Sequence, residues 1–181
     1  EEAIKDSKHL NGPIVVYDDE QGYLGGVVAD HLSSEHHEII FITPASLVSP
    51  WTESTLEQKR VQKALLVSGV NIICNKFIEK VDGQNLNLQC VFTGEITIVK
   101  CSAIVMVTER IPNTTLYDQL SEQNNSLEGA KRKYIQLVGD AQAPGLIADA
   151  VFLGHLAAQN FEEPEQEIQK AMFMREMPSL K

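Results

Sequence analysis

The sequence predicts an α/β chain with a central parallel sheet and an added antiparallel β-meander. Residues 13–17 and 38–43 are short apolar runs bounded by turn residues, as in strands buried on both faces. Residues 23–34 between them carry apolar side chains at helical spacing, which makes a strand–helix–strand unit of a parallel sheet. Further on, Asp82-Gly83 and Thr93-Gly94 separate three short runs of strand character, which is the pattern of a meander.

A second helix and a third strand follow the opening unit. Ser54-Thr55-Leu56-Glu57 has the form of a capping box, in which a hydroxyl and a carboxylate satisfy the free amides at a helix start. Ser68-Gly69 marks the end of this helix, because glycine accepts the left-handed conformation that often follows the last turn. Residues 70–74 are a third apolar run and are predicted to be a strand.

The rest of the chain is predicted to add strands, a return strand and two helices. In order, these are meander strands at 77–81, 85–92 and 95–100, a buried strand at 103–107, a helix at 114–121, a surface loop at 122–133, a strand at 134–138 and a helix at 145–160.

Composition restricts the class of protein and its partners. The chain has 181 residues, of which 43% are hydrophobic, so it is neither a disordered tail nor a disulfide-stapled miniprotein. The formal charge of −10 argues against binding to nucleic acid or to an anionic membrane surface, since both need clustered basic residues. No apolar run approaches the ~18 residues of a membrane-spanning helix. Three cysteines without CxxC spacing fit a reducing, cytoplasmic compartment.

The turn between the first strand and the first helix is where a dinucleotide-binding fold places its phosphate loop. Residues 20–25 keep the GxGxxG spacing at Gly22 and Gly25, but Glu20 replaces the first glycine. Asp18 and Asp19 add negative charge that would repel a phosphate. Gly22 and Gly25 are therefore candidate cofactor-binding residues, and the alternative is that they only let the helix pack closely on the strand.

The end of the second strand bears on whether this turn binds a dinucleotide. The second strand ends at Thr43, without the acidic residue that holds the ribose of NAD and without an arginine for a 2′-phosphate. The altered glycine loop and the missing acidic residue both indicate a dinucleotide fold that has lost its dinucleotide. A metal cluster at Asp18, Asp19 and Glu20 is a weaker alternative, because consecutive acids in a turn are more often solvated.

The run Gly139-Asp140-Ala141 is the second candidate cofactor site. An aspartate that directly follows a buried strand and precedes a helix can hold ribose or ribityl hydroxyls, and the helix start can face a phosphate. An ordinary turn with a helix cap is the alternative interpretation. No arrangement typical of nucleophilic catalysis is present, so no catalytic residue and no metal ligand is predicted.

Several segments together resemble one family of oxidoreductases. They are residues 105–113, the run at 138–150 that contains Gly-Asp-Ala-x-Ala-Pro, residues 16–26, and residues 43–58. The likeness is to the C-terminal half of the trimethylamine dehydrogenase family, which includes dimethylamine and histamine dehydrogenases and, more distantly, 2,4-dienoyl-CoA reductase. One departure is Glu109, since relatives usually have glycine beside the residue that corresponds to Arg110.

The resemblance implies a domain organisation. Members of the family carry an N-terminal FMN-binding barrel, a [4Fe-4S] cluster and two nested nucleotide folds similar to those of glutathione reductase. Only the nested folds correspond to this chain, which would comprise a lead-in at 1–12, an NAD(P)-type Rossmann-like domain at 13–108, a returning segment of the FAD/ADP-type domain at 109–161 and a tail at 162–181. In the family, the residue that matches Asp140 lies at the ADP or FAD site.

The resemblance also implies a function for the parent protein. Such an enzyme would oxidise a C–N bond of a methylated or other amine at FMN and pass electrons through the cluster to an electron-transferring flavoprotein. We expect this chain to be mainly scaffold with possible contact to ADP or FAD, to pack on the flavin barrel of its parent, to take part in a homo-oligomer and to be inactive when isolated. The alternatives are a fragment of an NADPH-dependent 2,4-dienoyl-CoA reductase and a non-enzymatic docking module that uses the acidic surface and the Met-rich tail.

Overall fold

A computed structural model describes residues 12–35, 38–127, 131 and 133–161. The chain divides into two compact units, Glu1–Glu109 and Arg110–Lys181, which we call unit 1 and unit 2. The lead-in and the tail expected from the sequence lie almost wholly outside the described residues. The domain limits given above remain a prediction.

Unit 1 contains seven strands and two α-helices within its described residues. The strands are β1 (Ile14–Asp18), β2 (Ile39–Ile42), β3 (Asn71–Ile73), β4 (Lys76–Asp82), β5 (Asn85–Cys90), β6 (Ile96–Lys100) and β7 (Ala103–Val107). The helices are α1 (Tyr23–Ser34) and α2 (Gln58–Val67), and Pro50–Glu53 form a 3-10 helix.

The strands form two sheets, which confirms the predicted α/β fold class. One is a parallel sheet in the order β3-β2-β1-β7, and the other is an antiparallel meander in the order β4-β5-β6. The order 3-2-1 with β7 added beyond β1 is that of a Rossmann-like half. In such a sheet the carboxyl ends of β1, β2 and β7 lie at one edge, where ligands bind.

Strand β1 lies at the centre of unit 1 because all five of its residues are buried. Ile14 and Val16 belong to a core cluster that includes residues of both helices. Val15 and Tyr17 belong to a second cluster with Leu86 and other residues of the meander. Successive side chains of a strand point to opposite faces, so a continuous apolar run serves two cores.

The predicted start of α2 is wrong. The hydroxyls of Ser54 and Thr55 donate hydrogen bonds back to the carbonyl oxygens of Trp51 and Thr52, at 2.9 and 3.1 Å, and so extend the 3-10 turn. The helix begins at Gln58 without a side-chain cap. Its predicted end is confirmed, since Gly69 follows it with a φ of +78°.

Unit 2 contains α3 (Thr115–Asn125) and α4 (Ile147–Gln159), and Gly139–Ala141 form a short 3-10 helix. Helix α3 extends four residues beyond its predicted end into the expected surface loop. The predicted strand at 134–138 is wrong: Val138 is extended, but no strand of the described residues pairs with this segment. An apolar run forms a strand only where another strand offers hydrogen bonds.

None of the helices in the described part of the chain is long and apolar enough to cross a membrane.

Candidate functional site

Asp18 occupies the turn where a dinucleotide fold would receive a pyrophosphate. It is the last residue of β1, its side chain is fully buried, and one oxygen, Oδ1, accepts a hydrogen bond of 2.9 Å from the backbone N–H of Gln21. The other oxygen, Oδ2, is buried and has no hydrogen-bond partner among the described residues. A buried carboxyl group therefore lies at the mouth of this turn, and one of its two oxygens has no hydrogen-bond donor among the described residues.

The surroundings of Asp18 favour its neutral form. The pKa of the Asp18 carboxyl is raised to about 6, chiefly by burial; the N–H of Gln21 lowers it, and the negative charges of Glu20 and Asp19 add to the rise. The pKa of Tyr17, on the same strand, is also raised, chiefly by burial and then by Asp19. A phosphate group brought to this turn would meet the same unfavourable field.

Gly25 and Gly22 differ in what surrounds them. A Cβ atom at Gly25 would lie 2.5 Å from Cγ of Asp18 and 2.6 Å from its Oδ2, so the missing side chain is the space that the carboxyl fills. Gly22 caps α1 with a φ of −85°, and a Cβ there would approach only the flexible end of Glu20, at 3.2 Å. The third glycine of the motif thus accommodates a side chain of the protein itself.

The backbone closes this turn from two sides. The N–H groups of Asp19 and Glu20 donate to the carbonyl oxygen of Val107 on β7, at 2.9 and 3.3 Å. Gln21 has a φ of +62°, which is strained for a residue with a side chain, and its carbonyl oxygen accepts a bond of 3.2 Å from the N–H of Trp51. The geometry is that of a closed structural turn.

The end of β2 carries no group for a ribose. Thr43 is fully buried, and its hydroxyl accepts a hydrogen bond of 3.2 Å from the N–H of Ala45. The weaker alternative of a metal cluster gains no support, since the described residues include no group of three or more histidine, cysteine or acidic side chains placed to hold an ion.

A second candidate site lies within unit 2. Arg110, Asn113, Asp140 and Ala141 line an open groove of about 400 Å³, together with Ile111 and Pro144. Gly139, directly before Asp140, is buried and has a φ of +63°, the left-handed conformation that favours glycine.

The backbone N–H and the carbonyl oxygen of Gly145 both form hydrogen bonds with side chains of this groove. Oδ1 of Asp140 accepts a hydrogen bond of 3.3 Å from the N–H of Gly145. Nη1 of Arg110 donates to the carbonyl oxygen of Gly145 at 3.2 Å. A cation and a carboxylate therefore lie in one groove, as a ligand with both phosphates and hydroxyls requires.

The structure places the sequence-predicted site residues in two groups. Gly22 and Gly25 belong to unit 1, and Gly139, Asp140 and Ala141 belong to unit 2. Arg110 and Asn113 were not predicted as site residues. The available signal was their position just after the buried run at 103–107, because polar residues that follow a sheet strand often reach ligands.

Comparisons with known proteins connect this geometry to a family. The structure of histamine dehydrogenase from Rhizobium sp. 4-9 superposes with a TM-score of 0.79 and 32% identity over 86% of this chain. The amine oxidase HisD from Pseudomonas geniculata N1, which acts on 6-hydroxypseudooxynicotine, gives 0.77 and 28% over 88% of this chain. Dimethylamine dehydrogenase from Hyphomicrobium sp. is 21% identical over 188 residues, 94% of this chain. No family model matches.

The chain is similar in sequence and fold to members of the trimethylamine, dimethylamine and histamine dehydrogenase family. It corresponds to the C-terminal nucleotide-fold region of these oxidoreductases, as the sequence predicted. It spans about a quarter of the relatives' length, since the match covers 24% of histamine dehydrogenase, 24% of HisD and 25% of dimethylamine dehydrogenase.

Proposed function

We propose that this chain is the C-terminal nucleotide-fold part of a larger flavin and iron–sulfur enzyme that oxidises a C–N bond of a methylated or other amine. The observation that carries this proposal is the 32% identity to histamine dehydrogenase over 86% of the chain. In the parent, FMN and a [4Fe-4S] cluster outside this chain would supply the redox chemistry, and an electron-transferring flavoprotein would accept the electrons. The chain itself serves as scaffold, in a cytoplasmic homo-oligomer.

The turn at Asp18 supports the scaffold role of unit 1. A buried carboxyl fills the space beside Gly25, two backbone N–H groups of the turn are bonded to Val107, and no acid follows β2. These residues do not fit the pyrophosphate and ribose of NAD or NADP. The same observations disfavour the alternative that the chain is part of an NADPH-dependent 2,4-dienoyl-CoA reductase.

Unit 2 has the features of a domain completed by other parts of a parent protein. Helix α4 is rich in apolar residues but has none that is buried, and Ile147 is 85% exposed. Such a face is stable in water only if other chain covers it. We propose that another part of the parent protein covers α4. On this proposal α4 packs within its own protein, whereas the docking-module alternative would have it bind a separate subunit.

The groove beside Asp140 is the part of the chain that we propose contacts ADP or the ADP half of FAD. The guanidinium of Arg110 is suited to a phosphate, and the carboxylate oxygens of Asp140 are suited to ribose hydroxyls. Asn113, in the same groove, adds an amide that can donate or accept.

The first experiment tests the enzymatic assignment. The longer parent protein should reduce a redox dye in the presence of an amine, whereas the chain of 181 residues should show no turnover with amines, NADH or NADPH. Amine oxidation by the purified chain would contradict the scaffold role. Micromolar binding of NADPH to the chain would favour the reductase alternative.

The second experiment tests the groove. ADP and FAD extracted from the purified parent should be quantified by chromatography for the wild type and for Asp140→Ala and Arg110→Ala. We expect nucleotide content to fall at least tenfold in both variants. Asp118→Ala, an exposed aspartate of α3, is the matched control and should keep the wild-type content. Unchanged nucleotide in Asp140→Ala would refute the contact.

A further inference from the structure

We propose that Asp18 is a proton-controlled latch: its neutral carboxyl holds the turn at residues 19–22 closed, and its ionisation lets that turn open. This inference goes beyond the scaffold role, because it gives unit 1 a conformational response to pH. The inference concerns the buried carboxyl of Asp18, which has no role in the proposed function.

The packing around Asp18 determines what its two oxygens can do. Oδ1 has one donor, the N–H of Gln21, and Oδ2 is buried against Gly25 with no donor among the described residues. An ionised carboxylate needs several donors or water to replace its hydration shell. A neutral carboxyl at this position needs far less, so the closed turn suits the protonated form.

The charged groups that face Asp18 act in one direction. Glu20 and Asp19 are the charges that affect it, and both are negative. Tyr17 on the same strand is neutral near pH 7 and has a raised pKa. Helix α1 presents Gly25, and β7 presents the backbone of Val107, so neither adds a positive side chain at this point. Like charges in the turn therefore increase the tendency of an ionised Asp18 to move to water.

Backbone hydrogen bonds between the turn and neighbouring segments oppose this movement. Gln21 holds a left-handed conformation at φ +62°, which it can release on opening. Opening breaks the bonds from the N–H groups of Asp19 and Glu20 to Val107 and from Trp51 to the carbonyl oxygen of Gln21, and it displaces the N–H of Gln21 from Oδ1 of Asp18. Opening the turn lets water reach Oδ2 without unfolding β1, which remains fixed by its neighbours β2 and β7.

Hydrogen exchange of the whole chain tests the latch. Protection factors of the amides of Asp19, Glu20 and Gln21, corrected for intrinsic exchange, should fall by about 10- to 100-fold from pH 5 to pH 8, because each pKa unit of difference between closed and open forms is a factor of ten. In Asp18→Asn, which keeps an oxygen for Gln21 but cannot ionise, protection should be high and independent of pH.

Matched controls separate the latch from general effects of pH. Asp19→Asn removes an adjacent carboxylate and should keep the pH dependence. Amides of β5, which belongs to the separate antiparallel sheet, should keep constant protection in all three proteins. If the carboxyl carbon of Asp18 titrates near pH 4 by NMR, or if the turn amides respond to pH in Asp18→Asn as in the wild type, the latch does not exist.

Discussion

The two units differ in how much of a core each contains. In unit 1, β1 is buried on both faces, Phe41 and Leu65 are fully buried, and two apolar clusters flank the parallel sheet. In unit 2, neither α3 nor α4 has a buried residue, although α4 contains Val151 and Phe152, which are 66% and 64% exposed. The same chain thus carries one unit with its own core and one whose two helices have apolar faces that the described residues leave exposed.

This difference shows that a segment can form a helix even where the packing that would cover its apolar face is missing. Short-range patterns suffice to form α4, since its helical hydrogen bonds lie within the segment. The stability of a helix in a protein comes mostly from packing its apolar face, and that face needs other chain. We therefore expect substitutions in unit 1 to act in this chain and substitutions in α4 to act only in the parent.

The largest expected effect is in the core of unit 1. Phe41→Ala removes a fully buried ring from β2 and should lower the free energy of unfolding by about 3–5 kcal/mol. Urea titration followed by the fluorescence of Trp51, the single tryptophan and a residue of unit 1, measures it. Phe92→Ala is the matched control: the ring is 80% exposed, so a comparable loss there would contradict the description of the core.

Gly25→Ala should have the next largest effect. The new methyl group would lie 2.5 Å from Cγ of Asp18, so the strand or the carboxyl must move, at a cost of about 1–3 kcal/mol. The double variant Gly25→Ala with Asp18→Ala should recover only part of this loss, because Cβ of residue 18 would still lie 2.8 Å from the new methyl group. Gly22→Ala, where only the flexible Glu20 is near, should change stability by about 0.5 kcal/mol or less. Equal losses at both glycines would argue against the packing described for Gly25.

The pH dependence of stability should follow Asp18. Its pKa in the folded protein, about 6, exceeds its ordinary value of 3.8, so the folded state binds the proton more tightly. The stabilisation is then complete below pH 4 and is lost as the pH rises through 6, a change of about 2–3 kcal/mol. The difference in unfolding free energy between wild type and Asp18→Asn should widen by this amount from pH 4 to pH 8. A constant difference would show that Asp18 does not titrate in this range.

The smallest effect in this chain is expected in α4. Phe152→Gln should change the stability of the 181-residue chain by less than about 0.5 kcal/mol, because the ring is 64% exposed. In the longer parent, the same substitution should cost about 1–3 kcal/mol if other chain buries the ring. Thermal unfolding of both proteins makes the comparison. Equally small effects in the two proteins would contradict the proposal that the parent covers α4.

Sequence patterns predicted unit 1 well because its elements follow local rules. The residues of β7 match the predicted range, α1 begins and ends as its apolar spacing indicated, and Gly69 ends α2. The start of α2 was missed because the hydroxyls of Ser54 and Thr55 bond backward to a 3-10 turn. Whether these hydroxyls bond backward or cap the helix depends on the conformation of the preceding loop, which the local sequence motif does not specify.

The segment at 134–138 shows the same limit in unit 2. Its composition is that of a strand, but strand formation needs a neighbour, and none of the described residues offers one. The candidate site in unit 2 was predicted from Gly139-Asp140-Ala141, while Arg110 and Asn113 were identified only when folding brought them to the same groove.

The sequence by itself determined the fold class, the family and the acidic character of the first turn, because periodicity, motif spacing and charge are properties of the chain. Only the tertiary structure decided that Asp18 lies buried against Gly25 with one oxygen lacking a donor. Burial and hydrogen-bond satisfaction depend on residues that are distant in sequence, and those two quantities set the chemistry of a carboxyl group.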